Sequence, residues 1–346
     1  MLSKNITRLG ALLVAISLLL AACSTSGGSG SEPTEIIIDP MEGVTEEAGT
    51  QAPTATLMPP TNTPVPTATL PPEIPTPTAI PTATLDPYHT HIANAMAFFD
   101  KQEFDSALAE LKLAQDMDPN IPDAYIQRGR VYLAQRKFDE AITEFNFAIN
   151  YDPNSKEAYM RRGVAYASKE SFAQALKDLQ KALEIDPNYV DAYVNRSIVY
   201  IAQEKYDEAM VDINAALQLA PDDAELYYNR GNLYMVKNEY DNALADFNQL
   251  VQMKSDDAAS YYNRGVAYLA MENREKALED LNQAITLNPN LLEAYFYRGI
   301  TYAQQGETEK ARADFQFILD RAPDENFRKL VQEEMDKLNA TPTPTP

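Results

Sequence analysis

The chain is short of the residues on which most protein chemistry depends. Its 346 residues include one cysteine, Cys23, and two histidines, His89 and His91. A lone cysteine excludes an intramolecular disulfide framework. The histidines stand at i and i+2, so they do not share a helix face. No Cys or carboxylate cluster stands at ligand spacing either, so neither metal nor cofactor is expected. No Gly-rich phosphate loop occurs, and no Ser/His/Asp or Cys/His set can be assembled. Carboxylate pairs are plentiful only because acids are, and catalysis is unsupported. Bases are scarce, 29 against 51 acids. Setting aside the eight acids between 24 and 87 and the bases Lys4 and Arg8, residues 88–346 keep 43 acids and 27 bases, net −16. Such a body repels phosphate backbones and anionic lipid heads, so nucleic acid is not an expected partner. The acidity also serves solubility.

Long apolar runs are missing as well. The run Leu9–Leu20 falls well short of the ~20 residues that cross a bilayer. It follows the positive start Lys4 and Arg8, and reads as the hydrophobic region of an export signal over residues 1–22. Leu20-Ala21-Ala22-Cys23 follows at once and resembles a bacterial lipobox. The resemblance implies cleavage before Cys23 and thioether lipidation of its sulfur. Two or three acyl chains on one cysteine anchor stably, which one chain does not. The protein is then expected on a cell or outer membrane, lipid-anchored and extracytoplasmic. An ordinary secretory signal and an uncleaved anchor are the other readings.

Residues 23–87 hold little to bury and read as a disordered linker. Ser24–Ser31 is a Ser/Gly tether, and Glu32–Glu47 is acidic around Ile36-Ile37-Ile38. From Gln51 to Leu85 the chain repeats Pro and Thr, as in Pro75-Thr76-Pro77-Thr78. Dense prolines favour polyproline II, with a reach on the order of 100 Å at ~3.1 Å per residue. Its threonines are candidate acceptors for O-linked sugars. Residues 341–346 share the composition and read as a disordered tail.

What the rest of the chain has is a period. Pro119, Pro153, Pro187, Pro221, Ser255, Pro289 and Pro323 follow one another at steps of 34 residues. So do Tyr125, Tyr159, Tyr193, Tyr227, Tyr261 and Tyr295, and a second file runs Tyr132, Tyr166, Tyr200, Tyr234, Tyr268 and Tyr302. Within one copy, Tyr159, Gly163 and Tyr166 lie at i, i+4 and i+7 on one helix face, and Ala175, Leu179 and Ala182 form a facing stripe. Gly163 and its equivalents Gly129, Ser197, Gly231, Gly265 and Gly299 admit the partner helix closely. Asn or Asp after each closing position (Asn120, Asn154, Asn188, Asp222, Asp256, Asn290, Asp324) is expected to cap the next helix. Repeat five, with Ser255 for proline and Leu250 for alanine, is expected to make a looser or differently angled joint. Arg128, Arg162, Arg196, Arg230, Arg264 and Arg298 recur together with an acid file, Glu110 to Asp314. That co-occurrence favours an internal ion-pair ladder over an anion-binding row.

These residues resemble the tetratricopeptide repeat family over 88–325, as seven copies (88–121, 122–155, 156–189, 190–223, 224–257, 258–291 and 292–325). The resemblance implies an all-α, right-handed superhelical solenoid of helix-turn-helix units stacked on their neighbours. Phe327, Leu330, Val331, Met335 and Leu338 mark a capping helix over 326–340. In this family the first helix of each repeat lines a concave groove. The positions so implicated are Ile126 and Arg130, Met160, Arg161 and Val164, then Val194, Asn195 and Ile198. They continue as Tyr228, Asn229 and Asn232, as Tyr262, Asn263 and Val266, and as Phe296 and Tyr297. Amides pair with a peptide backbone, and Tyr and Met make adaptable contacts. The family's Lys/Asn carboxylate clamp is not reproduced. The expectation is a non-enzymatic membrane-anchored scaffold binding another protein or peptide in its groove. A self-associating surface lipoprotein whose superhelix ends stack is the alternative.

Mass spectrometry of the native protein tests both N-terminal expectations. A mature chain starting at Cys23 should carry two or three acyl groups, and linker peptides should carry hexose increments. A bare peptide mass in either place removes that expectation.

Overall fold

The computed structural model describes residues 86–340. The signal segment, Cys23, most of the linker and the tail at 341–346 lie outside them. Every element among the described residues is an α-helix. Repeat one holds α1 (Pro87–Asp100) and α2 (Phe104–Met117), and repeat two holds α3 (Pro122–Ala134) and α4 (Phe138–Tyr151). Then come α5 (Lys156–Ser168), α6 (Phe172–Ile185), α7 (Val190–Ala202), α8 (Tyr206–Leu219), α9 (Ala224–Val236) and α10 (Tyr240–Met253). The last repeats are α11 (Ala258–Ala270) with α12 (Arg274–Leu287) and α13 (Leu292–Gln304) with α14 (Thr308–Leu319), closed by α15 (Glu325–Ala340). Each first helix packs on its own second helix, and each second helix on the first helix that follows. First helices also touch one another along α1–α3, α3–α5, α5–α7, α11–α13 and α13–α15, and most sparsely around α9. They therefore form the inner face of the solenoid.

Each helix ends for a local reason. The residue two past each first helix is left-handed, at Gln102, Arg136, Glu170, Glu204, Asn238, Glu272 and Gly306. That bend returns two amides to the helix: Lys137 N donates to Tyr132 O at 2.8 Å and Arg136 N to Leu133 O at 2.9 Å. Second helices end at a residue such as Asp118, Asp152, Asp186 or Asn288, whose side chain accepts the amide two residues on. This turn consumes the backbone of the asparagine that follows the proline. The caps expected at Asn120, Asn154, Asn188, Asp222, Asp256 and Asn290 therefore fall one residue later, at Ile121, Ser155, Tyr189, Asp223, Asp257 and Leu291. Of these only Ser155, Asp223 and Asp257 cap through the side chain. Asp324 does cap, accepting from Phe327 N at the start of α15.

The pairing inside a repeat is a fit of size. Phe145, Leu179, Ile213, Phe247, Leu281 and Phe315 are almost wholly buried on the second helices. Opposite them stand Gly129, Gly163, Ser197, Gly231, Gly265 and Gly299. A Cβ at Gly129 would sit 2.4 Å from the Phe145 ring, while one at Gly265 would sit 3.1 Å from Leu281 Cγ. Wherever the second helix carries phenylalanine, the first carries glycine. In repeat five Leu250 fills the alanine position and is buried beside Phe247. The Ser255 carbonyl still accepts the Tyr261 hydroxyl at 3.2 Å, as Pro221 accepts that of Tyr227 at 3.0 Å. At the C-terminal end Val331 and Met335 are buried against Phe296 and Phe315, with Phe327, Leu330 and Leu338 beside them. The expected cap thus turns its apolar face inward.

The arginine file is a ladder. Arg230 holds Asp246 with two bonds, 2.9 and 2.7 Å, and donates to Asn214 at 2.8 Å. One guanidinium thereby ties its own helix, its partner and the second helix of the preceding repeat. Arg162, Arg196, Arg264 and Arg298 repeat the bidentate pair with Asp178, Asp212, Asp280 and Asp314. Each also lies over the tyrosine three residues before it, Arg298 at 5.1 Å from the Tyr295 ring. The ladder weakens toward the N-terminus. Arg128 reaches Glu144 only at 3.5 Å, and in repeat one His91 Nδ1 meets Glu110 at 2.7 Å.

The size rule sets opposite outcomes for two like substitutions. Gly to Ala gains about 1 kcal/mol of helix propensity, against an overpacking cost of about 1–3 kcal/mol. Gly231→Ala drives a Cβ to 2.6 Å from Phe247 and should lower the urea midpoint. Gly265→Ala faces a branched leucine at 3.1 Å and should leave it nearly unchanged. Equal effects would show that ring size does not set the helix spacing.

Candidate functional site

The inner face is built one helix at a time from residues at i, i+3, i+4 and i+7, which share a side. On α5 these are Glu157, Met160, Arg161 and Val164, and on α7 Asp191, Val194, Asn195 and Ile198. On α9 they are Glu225, Tyr228, Asn229 and Asn232. On α11 and α13 they are Ala259, Tyr262, Asn263 and Val266, then Glu293, Phe296, Tyr297 and Ile300. The sixteen positions expected to line the groove therefore lie along one face, but they divide in two by exposure. Ile126, Met160, Val164, Ile198, Phe296 and Tyr297 are buried, as are Arg161, Asn195, Asn229 and Asn232. Arg130, Val194, Tyr228, Tyr262, Asn263 and Val266 remain half-buried and meet solvent.

Several of these side chains join neighbouring first helices. Arg130 donates to Gln127 at 2.6 Å, reaches Met96 Sδ at 3.5 Å and lies over the Phe99 ring. Asn195 Nδ2 donates to the Asp191 carbonyl at 2.7 Å and approaches Met160 Sδ at 3.8 Å. The rings of Tyr262 and Tyr297 meet at 5.8 Å. The buried members form a floor that packs repeat on repeat, and the half-buried ones are the surface above it.

Sequence reasoning missed one row. An acid stands one turn before the apolar groove position in Asp123, Glu157, Asp191, Glu225 and Glu293. The 34-residue step that marks the other files marks this one too. Glu157 is held by Arg161 at 2.7 Å, and Asp123 accepts from Gln127 at 3.0 Å. Burial raises the carboxyl of Glu225 above its ordinary range, helped by Asp223 and Asp191 and opposed by Lys254. The Asp191 carboxyl is raised too, by desolvation of its charge with Glu157 and Asp223 adding and Arg161 and Lys156 opposing, although the residue as a whole is exposed. Burial also raises the phenols: Tyr297 is pushed up to about 12, and Tyr228 and Tyr262 rise too. All three remain protonated donors at neutral pH.

Two amide atoms on this face are unsatisfied. Asn195 Oδ1 and Asn232 Nδ2 are shut from solvent with no hydrogen-bond partner. Asn232 lies against the Tyr228 hydroxyl and draws its proton affinity down, yet Nδ2 has no acceptor in hydrogen-bonding geometry. Elsewhere the chemistry is sparse. Among the described residues no cluster of three His, Cys, Asp or Glu is arranged to hold a metal, and no helix is long and apolar enough to cross a membrane. A shallow hollow of about 260 Å³ between repeats one and two, lined by Gln102, Phe104 and Gln135, holds no reactive set.

Stacked helix pairs with a continuous inner face define a helical-repeat scaffold. Tetratricopeptide repeat models match residues 126–190, 179–210, 199–237, 231–272 and 267–336, together an unbroken stretch from 126 to 336. The chain belongs to the tetratricopeptide repeat family, whose members mediate protein–protein interaction and are typically non-catalytic. A tetratricopeptide repeat protein from Parabacteroides merdae superposes with TM-score 0.54 at 22% identity, covering 73% of this chain and 99% of that one. PilF of Pseudomonas aeruginosa does so with TM-score 0.53 at 18% identity, covering 61% and 96%. Yeast Tom70 gives 0.51 at 20% identity, covering 73% and 53%. At these identities the likeness is one of fold. No curated protein matches the chain.

The raised carboxyl of Glu225 sets a sign. Its proton is held more tightly in the folded chain than in the unfolded one. Stability is therefore lost as pH rises from about 4.3, the unfolded value, through the raised folded value. Glu225→Gln should melt higher than the native chain at pH 7, with the gap closing near pH 4. A variant less stable at pH 7 would show that the carboxylate is held by a partner instead.

Proposed function

We propose that this protein is an envelope scaffold, tethered through lipid on Cys23, that holds an extended segment of another protein on its concave face. The observation that carries the groove reading is the strip of half-buried apolar and aromatic side chains, Val194, Tyr228, Tyr262 and Val266, that meets solvent along successive first helices. Tyr and Val along one strip suit the alternate side chains of an extended segment. The anchor and linker would hold this face clear of the membrane. End-to-end stacking has less support, since no large apolar side chain is exposed on α1 or α15.

A photo-crosslinking residue placed in the full chain at Val194 or Tyr262, on the inner face, and at Val211, exposed on α8, tests this in native envelopes. Inner-face positions should link to one partner, and the Val194 link should be lost in Tyr228→Ala with Tyr262→Ala. Links from Val211 alone, or only to a second copy of the chain, would overturn the groove reading.

A further inference from the structure

We propose that the last stretch of the linker, residues 74–85, seats itself on an apolar patch at the outer edge of repeats one and two. Four of the seven large apolar side chains exposed among the described residues lie there. They are Leu113 and Met117 on α2 and Phe147 and Tyr151 on α4, each 38–49% exposed. The Tyr125 ring stands 5.6 Å from Phe147 and 5.3 Å from Tyr151. Its hydroxyl donates to the Pro119 carbonyl at 2.9 Å, just past the end of α2. The patch thus runs from the end of α2 across to α4.

The other repeats do not leave such a surface open. Where Leu113 and Phe147 stand, repeats three to six hold Lys181, Ala215, Gln249 and Gln283. Repeat seven again has an aromatic, Phe317, but its ring stacks on Tyr295 at 4.2 Å and lies 3.8 Å under the Arg321 guanidinium. Phe317 is thereby half-buried. In repeat two Tyr151 takes the place of that arginine, and Phe147 is open to solvent.

Where the linker ends identifies the occupant. α1 begins at Pro87, and Tyr88 packs against Ala114 and Ala124, accepting from Ala124 N at 3.1 Å. Tyr125 follows Ala124, so the chain enters the solenoid at the edge that carries the patch, about one helix spacing (~10 Å) away. Residues 74–85 lie outside the described ones and run directly into that entry. At ~3.1 Å per residue, Pro81 reaches ~15 Å from Asp86, enough to cross the gap.

The chemistry of the segment fits as well. It carries Pro75, Pro77 and Pro81 with Ile74, Ile80 and Leu85, and no charge. Pro-rich segments dock on aromatic surfaces because they are already extended and lose little entropy on binding. Charge disfavours the other occupants. Ile36-Ile37-Ile38 is flanked by Glu35 and Asp39, while the patch is followed along its helices by Asp118 and Asp152. A second copy would bring another body of net −16 against the first. The patch lies on second helices, so its occupation leaves the inner face open. It would fix the direction in which the rest of the linker leaves the solenoid.

The chain has no tryptophan, so Ile80→Trp places a single reporter in the full protein. Its emission should be blue-shifted and shielded from acrylamide, equally at all protein concentrations. Both effects should be lost on adding Leu113→Gln and Phe147→Gln, which install the residue that repeats five and six carry. A lone reporter at Ile36→Trp should stay open to the quencher. An Ile80 reporter that is freely quenched, or a shift that survives loss of the patch, would overturn the proposal. So would a shift that grows with concentration, marking a second copy, or a patch-dependent shift seen only from Ile36. The inner-face crosslinks are read separately, so the groove reading stands or falls on its own.

Discussion

The solenoid depends on one contact, a bulky side chain of the second helix pressed against a small residue of the first. Phe145, Phe247 and Phe315 reach glycine backbone because a Cβ there would collide with the ring. That approach sets how far apart the two helices of a repeat stand. It brings Arg230 within 2.7 Å of Asp246, sixteen residues on, and within 2.8 Å of Asn214, sixteen before. Spacing and ion pair recur together because they answer to the same distance. A helix pair alone leaves its apolar sides in water, so stability comes from each neighbour covering the last. The ladder adds geometric definition, since a planar guanidinium satisfies its carboxylate only at one relative position of the helices.

The same stacking makes the inner face. With the second helices turned outward, first helices meet one another along a line of Met, Tyr, Asn and Arg. Close packing buries much of that line and leaves a narrower strip exposed. Polar groups are caught in it, among them two amide atoms that find no partner among the described residues.

Much of this architecture was legible in the residues. The 34-residue step needed no structure, because a repeat that must cover its neighbour must keep its register. The Gly/Phe, Gly/Leu and Ser/Ile pairs, the Arg and Asp files and the inward stripe of α15 follow from helical periodicity and size. The caps did not: the Asp-Pro-Asn turn, folded on Asp118, Asp152 and Asp186, spends one more residue before the helix begins. The row from Asp123 to Glu293 was equally periodic, but solvated acids are so common in this chain that periodicity alone gave them no meaning.

Which residues face one another within a repeat could be read from the residues alone, because i, i+4 and i+7 spacing is a property of the helix. What happens between repeats emerges only when the helices are stacked. Ile126, Met160 and Ile198 read as groove residues and are floor, because packing between neighbouring helices buries them. Asn195 read as a free amide and has one arm already bound to its own helix. Exposure depends on how closely successive first helices approach, a distance set by many small packing choices summed across neighbours.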